Sequence, residues 1–305
     1  MESCLKQIKR TNPAVNAVVA IDEDRAMADA KAAEAALMNG MYLDILHGLP
    51  CGVKDLEPVE GLRSTWGSLL FKDHVPEADA PMVSSVRMAG GLPFCKTNTP
   101  EFGAGGNTRN RVYGATGNPF NPELTCAGSS GGSAVALALD MMPLATGSDY
   151  GGSLRTPAAF CGVVGFRPSP GLVPSAEKTA GLIPWGVLGP MGRTVEDAYL
   201  LLRAQMTLDR GDPFSSHDAD DWPETLEPAD LASIRAAITP DFGVCPIDHG
   251  IRRTFTERTA RLGDVFLDAA QTSADFSGVH EIFEIHRGLS FASGHQDKLA
   301  KHRDL

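Results

Sequence analysis

The chain has no long apolar run and a deficit of positive charge. The longest hydrophobic candidate, residues 134–145, is broken by Asp140 and Pro143, whereas crossing a bilayer needs ~18–20 apolar residues. The 27 Lys and Arg residues are outnumbered by 38 Asp and Glu residues, which gives a net charge of −11. Nucleic-acid and anionic-membrane surfaces need clustered cations. We therefore expect a soluble protein with no nucleic-acid partner and no membrane partner.

Cysteine pairing motifs are also missing. The six cysteines are widely spaced, and no two of them form a C-x-x-C pair. The N-terminal residues are polar and lack the apolar core of a secretory signal. Scattered cysteines without such a signal are typical of the reducing cytosol. The histidines show no metal-ligand spacing, so the sequence predicts a cytoplasmic protein with no metal and no cofactor.

The rest of the composition is that of an ordinary globular protein, since 43% of the 305 residues are apolar and 21% are charged. Small-residue and amphipathic patterns predict helices over residues 24–38, 81–89, 133–141, 195–206 and 252–269. Thr194 can cap the fourth of these. Short apolar segments at 49–53 and 143–146 and a strand region at 234–244 lie between the helices. This alternation favours an α/β fold.

Two segments are poor in regular patterns. Residues 103–133 are dominated by Gly, Asn, Ser, Thr and Pro, and so long a loop inside a compact domain is usually functional or disordered. Residues 209–230 are acidic and interrupted by Pro, which indicates a surface excursion or a linker. Apart from this segment, the sequence predicts a single domain over residues 1–305.

Three short segments contain residues suited to catalysis: L-P-C-G-V-K-D-L at 49–56, A-G-S-S-G-G-S at 127–133 and G-S-D-Y-G-G-S-L-R at 147–155. Each alone has a simpler explanation. A Lys-Asp pair is usually a solvated surface pair, and a Gly/Ser-rich stretch is more often a flexible turn than a site. Their context makes these explanations weaker.

Lys54 follows an apolar, turn-rich segment that could bury its ammonium group. Burial away from carboxylates lowers a lysine pKa, and a neutral lysine can act as a general base. Glycines beside the serines let main-chain N–H groups turn toward one point, as holding an oxyanion requires. Serine becomes a nucleophile only when a neighbour takes its proton. The parts fit a Ser–Ser–Lys relay.

Together these segments resemble the amidase-signature family, whose hallmark is G-G-S-S-G-G-S followed by G-S-D-x-G-G-S-[IL]-R, with a lysine motif upstream. The resemblance runs from about Asn12 to Leu305. It includes K-T-N-T-P-E-F at 96–102, C-G-V-V-G-F-R-P at 161–168 and G-P-M-G-R-T at 189–194. It implies a mixed β-sheet core surrounded by helices. It also implies an amidase that hydrolyses a small-molecule carboxylic amide to a carboxylate and ammonia or an amine.

The same resemblance implies roles for individual residues. Ser153 would be the nucleophile that forms the acyl-enzyme. Ser129, preceded by a cis peptide bond, would relay the proton to Lys54, the base. The oxyanion hole would consist of the main-chain N–H groups of Tyr150, Gly151, Gly152 and Ser153. Ser130 would hydrogen-bond near Lys54, and two further residues would be structural supports, namely Asp149 and Arg155.

The chain departs from the family pattern in composition and in length. Tyr150 stands where a smaller Thr or Ile is common, and Ala127 replaces the first glycine of the Ser-Ser loop. Family members begin with an extra helix before the segment that matches Asn12, and they continue well beyond Leu305. That C-terminal part normally supplies strands and one wall of the acyl pocket. We therefore expect an α/β fold that is incomplete at its C-terminal side, with a site open on one side.

Two other functions remain open. The A-subunits of glutamine-dependent amidotransferases, which release ammonia from glutamine, share the triad but require partner subunits. An inactive scaffold that acts as a binding or regulatory protein would keep the fold without the chemistry. A free homo-oligomer would argue against the amidotransferase function, whereas an unrelated partner subunit would favour it. The sequence does not indicate the acyl or amine group of the substrate.

Overall fold

Helices and strands alternate in the computed structural model, which describes residues 1–41, 44–175, 182–216, 219–262 and 264–302. The α-helices among these residues are α1 (Glu2–Val15), α2 (Glu23–Met38), α3 (Pro81–Met88), α4 (Gly131–Ala138), α5 (Arg155–Cys161), α6 (Val195–Gln205), α7 (His249–Ala260) and α8 (Val279–Lys301). The strands are β1 (Val18–Ile21), β2 (Pro50–Lys54), β3 (Leu92–Thr97), β4 (Arg109–Asn110), β5 (Gly114–Ala115), β6 (Leu144–Asp149), β7 (Val164–Gly165), β8 (Val187–Gly192), β9 (Arg235–Ile238) and β10 (Asp268–Gln271). The predicted α/β class is confirmed.

The described chain divides into two units, Met1–Pro223 and Glu224–Arg303. The first unit contains a six-stranded sheet in the order β1-β3-β2-β6-β8-β7. Strand β2 pairs in parallel with both β3 and β6, whereas β1 and β8 join the sheet antiparallel. The sheet is therefore mixed, as the resemblance implies, and β2 lies inside it.

Both faces of this sheet are covered, so nearly all residues of its central strands β3, β2 and β6 are buried. One core cluster joins the sheet to α1 and α4 and includes Leu137 and Met141. The other joins it to α3 and α6 and includes Val53, Val83 and Leu201. All five residues of β2 are buried. A polar residue at the end of β2 therefore lies among apolar neighbours.

Most predicted helices and short strands of the first unit are confirmed. The helices α2 and α3 agree with the predicted ranges to within a residue at each end, and α4 begins at Gly131. Helix α6 begins after Thr194, which forms a capping box with Asp197. Helix α1 was not predicted, although its buried residues Leu5 and Ile8 are spaced as on one helix face.

Two boundaries in the second unit were predicted wrongly. Helix α7 ends at Ala260, and residues 268–271 are the strand β10, not the end of a helix over 252–269. The predicted strand over 234–244 is limited to β9, which pairs in parallel with β10. That pairing supplies the main-chain hydrogen bonds of residues 268–271, and local periodicity does not reveal a partner 33 residues away.

The second unit has little buried apolar surface. None of the described residues in β9, α7, β10 or α8 is buried. Large apolar side chains such as Ile251 and Leu267 are 64% exposed. The 209–230 segment spans the boundary between the units, and its residues 217–218 lie outside the described part. Its role as a linker stays a prediction.

The capping box of α6 leads to a testable prediction. The Thr194 side chain accepts a hydrogen bond from Asp197 N at 3.1 Å, and losing such a cap costs about 1 kcal/mol. We expect Thr194→Ala to lower the free energy of unfolding by that amount, measured by urea denaturation. Thr194→Ser keeps the hydroxyl and should lose much less. Equal losses in the two variants would contradict a capping role.

Candidate active site

Strand β2 places Lys54 in the interior, where its amine contacts hydroxyl groups and, among the described residues, binds no carboxylate. Lys54 is 1% exposed, and its main-chain N–H donates to Thr146 Oγ1 at 3.1 Å. Its Nζ lies 2.7 Å from Ser129 Oγ, 2.9 Å from Ser130 Oγ and 2.9 Å from Ser148 Oγ. Three serine hydroxyls from two segments of the chain thus contact the Lys54 amine.

The surroundings of Lys54 favour its neutral form. Burial lowers the pKa of Lys54 to about 7, although the charges of Glu57 and Asp149 act in the opposite direction. An amine with a pKa near 7 is substantially unprotonated at neutral pH, so it can accept a proton. The burial expected from the apolar segment before Lys54 is observed.

Hydrogen-bond counting limits which of the three serines can give a proton to a neutral Lys54. A neutral amine has two N–H donors and one lone pair, so one of its three hydroxyl neighbours must donate. Ser130 Oγ is engaged with the main chain of Ser148, donating to the carbonyl oxygen and accepting from the N–H, both at 3.3 Å. Ser130 is therefore an acceptor for Lys54. Ser129 and Ser148 are then the two candidate donors, and Ser129 makes the shortest of the three contacts.

The Ser-Ser loop is held close to the sheet. The Gly128–Ser129 peptide bond is cis, as the resemblance implies. After Ser130 the chain enters α4, and a Cβ atom at Gly132 would lie only 2.2 Å from the main-chain N of Asn98. Only glycine allows that close approach. The 103–133 segment, which includes the short strands β4 and β5 and the start of α4, thus places two serines beside Lys54.

Ser153 lies in the turn between β6 and α5 and is half-buried. Its carbonyl oxygen accepts from Ser130 N at 3.2 Å, which ties the two serine turns together. Gly152 has a φ of +110°, and a Cβ there would meet Thr156 Oγ1 at 2.7 Å. A non-glycine residue would therefore strain the turn that presents Ser153.

The Asp149 side chain holds the turn between β6 and α5 in place through hydrogen bonds. Its carboxylate accepts from Gly152 N at 2.8 Å and Leu154 N at 3.2 Å. Arg155 Nε and Arg167 Nη1 each lie 3.0 Å from a carboxylate oxygen of Asp149. Burial acts to raise the pKa of Asp149, but the hydrogen bonds from Arg155, Gly152 and Leu154 lower it to about 2. Asp149 and Arg155 are supports in this structure.

The N–H groups predicted for an oxyanion hole are not equivalent. The Gly152 N–H is directed at Asp149 and holds the turn. Within the described part of the chain, the main-chain N–H groups of Gly151 and Ser153 have no acceptor. Sequence reasoning could not separate these groups, because the difference depends on where one carboxylate points.

Sequence reasoning missed two residues of this site. Ser148 binds Lys54, and its position had a signal, since residues at a spacing of two share one face of a strand. Thr146 and Ser148 both lie on β6 and both contact Lys54. Arg167 binds Asp149 across the turn and had no signal beyond its place in the 161–168 motif.

Asp149 gives the free energy of unfolding a pH dependence of definite sign. Its pKa is about 2 in the fold and near 3.9 in an unfolded chain. Its contribution is fully present above pH ~4–5 and is lost as pH falls toward 2, and it amounts to on the order of 2 kcal/mol. We expect Asp149→Asn to lower the free energy of unfolding at pH 7 and to flatten its acid dependence.

The control for this prediction is Asp73→Asn, because the Asp73 side chain is 83% exposed. Urea unfolding of both variants should be followed from pH 7 to pH 2. An acid dependence in Asp149→Asn as steep as that of the wild type would show that Asp149 is not the stabilising carboxylate.

Comparison with known proteins agrees with this geometry. The family model described as Amidase matches residues 1–285. An acylamidase from Rhodococcus erythropolis is 37% identical over 81% of this chain and 52% of its own length. A glutamyl-tRNA(Gln) amidotransferase A-subunit from Acaryochloris marina is 37% identical over 79% of this chain and 50% of its own. The chain spans about half the length of these curated relatives.

Solved structures give the same result. A bacterial aryl acylamidase of the amidase-signature enzymes superposes with a TM-score of 0.79 at 30% identity, over 90% of this chain and 57% of its own. The crystal structure of an amidase superposes with a TM-score of 0.82 at 31% identity, over 99% of this chain and 66% of its own. By sequence and by fold, this chain belongs to the amidase-signature family.

Proposed function

We propose that the site hydrolyses a carboxylic amide through an acyl-enzyme on Ser153. The observation that carries this proposal is Lys54, a buried amine that contacts three serine hydroxyls and has its pKa lowered to about 7 by burial. A base in such surroundings can take a serine proton at neutral pH. Membership of the amidase-signature family supports the same chemistry.

The proposed first half-reaction begins with proton transfer from Ser153 to Ser129 and from Ser129 to Lys54. Ser129 gives its hydroxyl proton to Lys54 Nζ and takes the proton of Ser153, whose Oγ attacks the amide carbonyl carbon. The N–H groups of Gly151 and Ser153 stabilise the oxyanion. The C–N bond then breaks as the proton returns from Lys54 through Ser129 to the leaving nitrogen. Ammonia or an amine departs, and the acyl group stays on Ser153 Oγ.

In the second half-reaction a water molecule takes the place of the amine. Lys54 accepts its proton through Ser129, and the hydroxide attacks the acyl-enzyme carbonyl carbon. Collapse of the tetrahedral species releases the carboxylate and returns the proton to Ser153 Oγ. The Asp149 carboxylate takes no part, because it is paired with Arg155 and Arg167.

A second candidate is the A-subunit function of a glutamine-dependent amidotransferase. Several relatives with this description are 36–37% identical to this chain. That function would use the same acyl-enzyme with glutamine as substrate and would need partner subunits. Ammonia release from glutamine but from no simple amide would favour this candidate. Complete inertness would favour a scaffold role.

The ligand, the location and the assembly are further parts of the proposal. A small-molecule amide is the proposed ligand, in a cytoplasmic protein that can form homo-oligomers. None of the described helices is both long and apolar enough to cross a membrane. Among the described residues, no three His, Cys, Asp or Glu side chains cluster as metal ligands would.

Covalent labelling tests the nucleophile. A fluorophosphonate probe should label the wild-type chain at Ser153, located by peptide mass spectrometry, and Ser153→Ala should abolish the label together with any amide hydrolysis. The expectation follows because Ala lacks the attacking oxygen and adds no volume. Ser293→Ala, a change on the exposed face of α8, is the control and should label normally. Persistent labelling of Ser153→Ala would reject the assignment.

The pH dependence of the reaction tests the base. Below pH 7 the wild-type rate should fall about tenfold per pH unit, since protonation of Lys54 removes the base and its pKa is about 7. Lys54→Met should lose this limb and roughly 10²–10⁴-fold in rate. Labelling rates from pH 5 to 9 provide the measurement. Lys72→Met, whose lysine is 62% exposed, should keep the limb. A labelling rate that still falls below pH 7 in Lys54→Met would show that another group is the base.

A further inference from the structure

A second buried lysine lies beside Lys54 and takes no part in the proposed proton transfer. Lys96 is on β3, the strand paired with β2, where Val53 lies opposite Lys96 and Lys54 opposite Thr97. The side chains of Lys96 and Asp55 are fully buried, and Lys96 Nζ lies 3.7 Å from Asp55 Oδ1. Breaking a buried ion pair by removing one partner is strongly destabilising. Because Asp55 directly follows Lys54 in the chain, the ion pair also affects the turn that begins at Lys54.

Lys96 holds the turn that begins at Lys54. Its Nζ donates to the carbonyl oxygen of Glu57 and, at 3.1 Å, to Ser64 Oγ. The N–H groups of Leu56 and Glu57 both donate to the Lys54 carbonyl oxygen, at 2.7 and 3.1 Å. The turn at 54–57 is therefore fixed at its start by Lys54 and at its end by Lys96.

Asp55 extends the same support to the next loop. Its carboxylate accepts from Thr65 N at 3.1 Å and from Thr65 Oγ1 at 2.6 Å. Thr65 Oγ1 in turn accepts from Gly67 N at 3.0 Å. Between these two residues the Trp66 carbonyl oxygen accepts from Phe102 N at 2.7 Å. Asp55 thus supports, through Thr65, the loop that binds Phe102, which is distant in sequence.

These contacts converge on Ser129. Gly103 follows Phe102, and a Cβ placed on Gly103 would lie 2.8 Å from Leu56 Cδ1 and 3.6 Å from Ser129 Oγ. Leu56 belongs to the turn held by Lys96, and Gly103 belongs to the loop held through Asp55. Gly103 therefore borders the serine that Lys54 must reach, and Leu56 packs against Gly103.

We propose that Lys96 and Asp55 are a positioning pair for the Lys54–Ser129 contact. Their buried ion pair fixes the turn after Lys54 and the Phe102–Gly103 wall beside Ser129, and neither residue touches the substrate. This proposal rests on the function proposed above only for its consequence for rate. Its geometric content, the position and titration of Lys54 beside Ser129, does not depend on that function.

The test is the titration of Lys54 in a chain labelled with [ε-13C]lysine, with the Lys54 signal assigned from its absence in Lys54→Arg. In Lys96→Met the turn loses its anchor and Asp55 loses its counter-charge, so water and a carboxylate gain access to Lys54. The charges that act on Lys54 in the wild-type chain are those of Glu57 and Asp149; the variant keeps both residues, and Glu57 belongs to the turn that loses its anchor. We expect the Lys54 midpoint to rise by on the order of one pH unit. The labelling rate of Ser153 at pH 7 should fall about tenfold.

The matched control is Arg87→Met, which breaks the Arg87–Asp79 ion pair elsewhere in the same unit. It should leave the Lys54 midpoint and the labelling rate unchanged even where it lowers the melting temperature. An unchanged midpoint in folded Lys96→Met would overturn the proposal. A shift of equal size in Arg87→Met would also overturn it, because the effect would then be general destabilisation.

Lys96→Met can fail to fold, since it leaves Asp55 buried without a partner. The double variant Lys96→Met/Asp55→Asn then replaces it, because it leaves no unpaired buried charge. It should fold, show a shifted Lys54 midpoint and label slowly, and a wild-type midpoint in this variant contradicts the positioning role. A wild-type chain that is not labelled at Ser153 rejects the proposed function, whereas the Lys54 titration still decides this inference.

Discussion

The site depends on one constraint, the burial of Lys54 without a carboxylate partner. Its pKa shift from 10.5 to about 7 disfavours folding at neutral pH by on the order of 4–5 kcal/mol, because each pKa unit corresponds to about 1.4 kcal/mol. A buried ammonium would normally recruit an acid. Here the neighbours are hydroxyls, which can bind the amine in either protonation state. The cost of keeping the base neutral must be offset by the packing of the sheet around it.

Much of the remaining local structure follows from this constraint. The serines must come close to a central strand, so glycines occur where their loops touch the sheet, as at Gly132 against Asn98. Negative charge near the lysine must be compensated, because an unpaired carboxylate would raise its pKa. Asp149 is paired with Arg155 and Arg167, and Asp55 with Lys96. The acidic side chains within the two segments, Asp55 and Asp149, thus each have a cation partner, whereas the charge of Glu57 still acts on Lys54.

The α/β class and the helices α2, α3 and α6 could be predicted from the sequence because they depend on local patterns. The grouping of Lys54 with Ser129 and Ser130 could be predicted because it depends on short motifs. The sequence did not reveal the pairing of β9 with β10, since register between distant strands is not encoded locally. Ser148 was missed although its spacing from Thr146 on β6 was a signal, and Arg167 was missed because its contact with Asp149 joins residues 18 positions apart. The different uses of the Gly151, Gly152 and Ser153 N–H groups likewise depend on the orientation of one carboxylate.

The central claim is that Lys54 is a neutral base at physiological pH. The most direct test is the titration of its ε-carbon signal in the wild-type chain by 13C NMR. The structure predicts a midpoint near pH 7, with the amine unprotonated above it. A midpoint near the ~10.4 of a free lysine would mean that Lys54 stays charged beside the serines, and it would contradict the account.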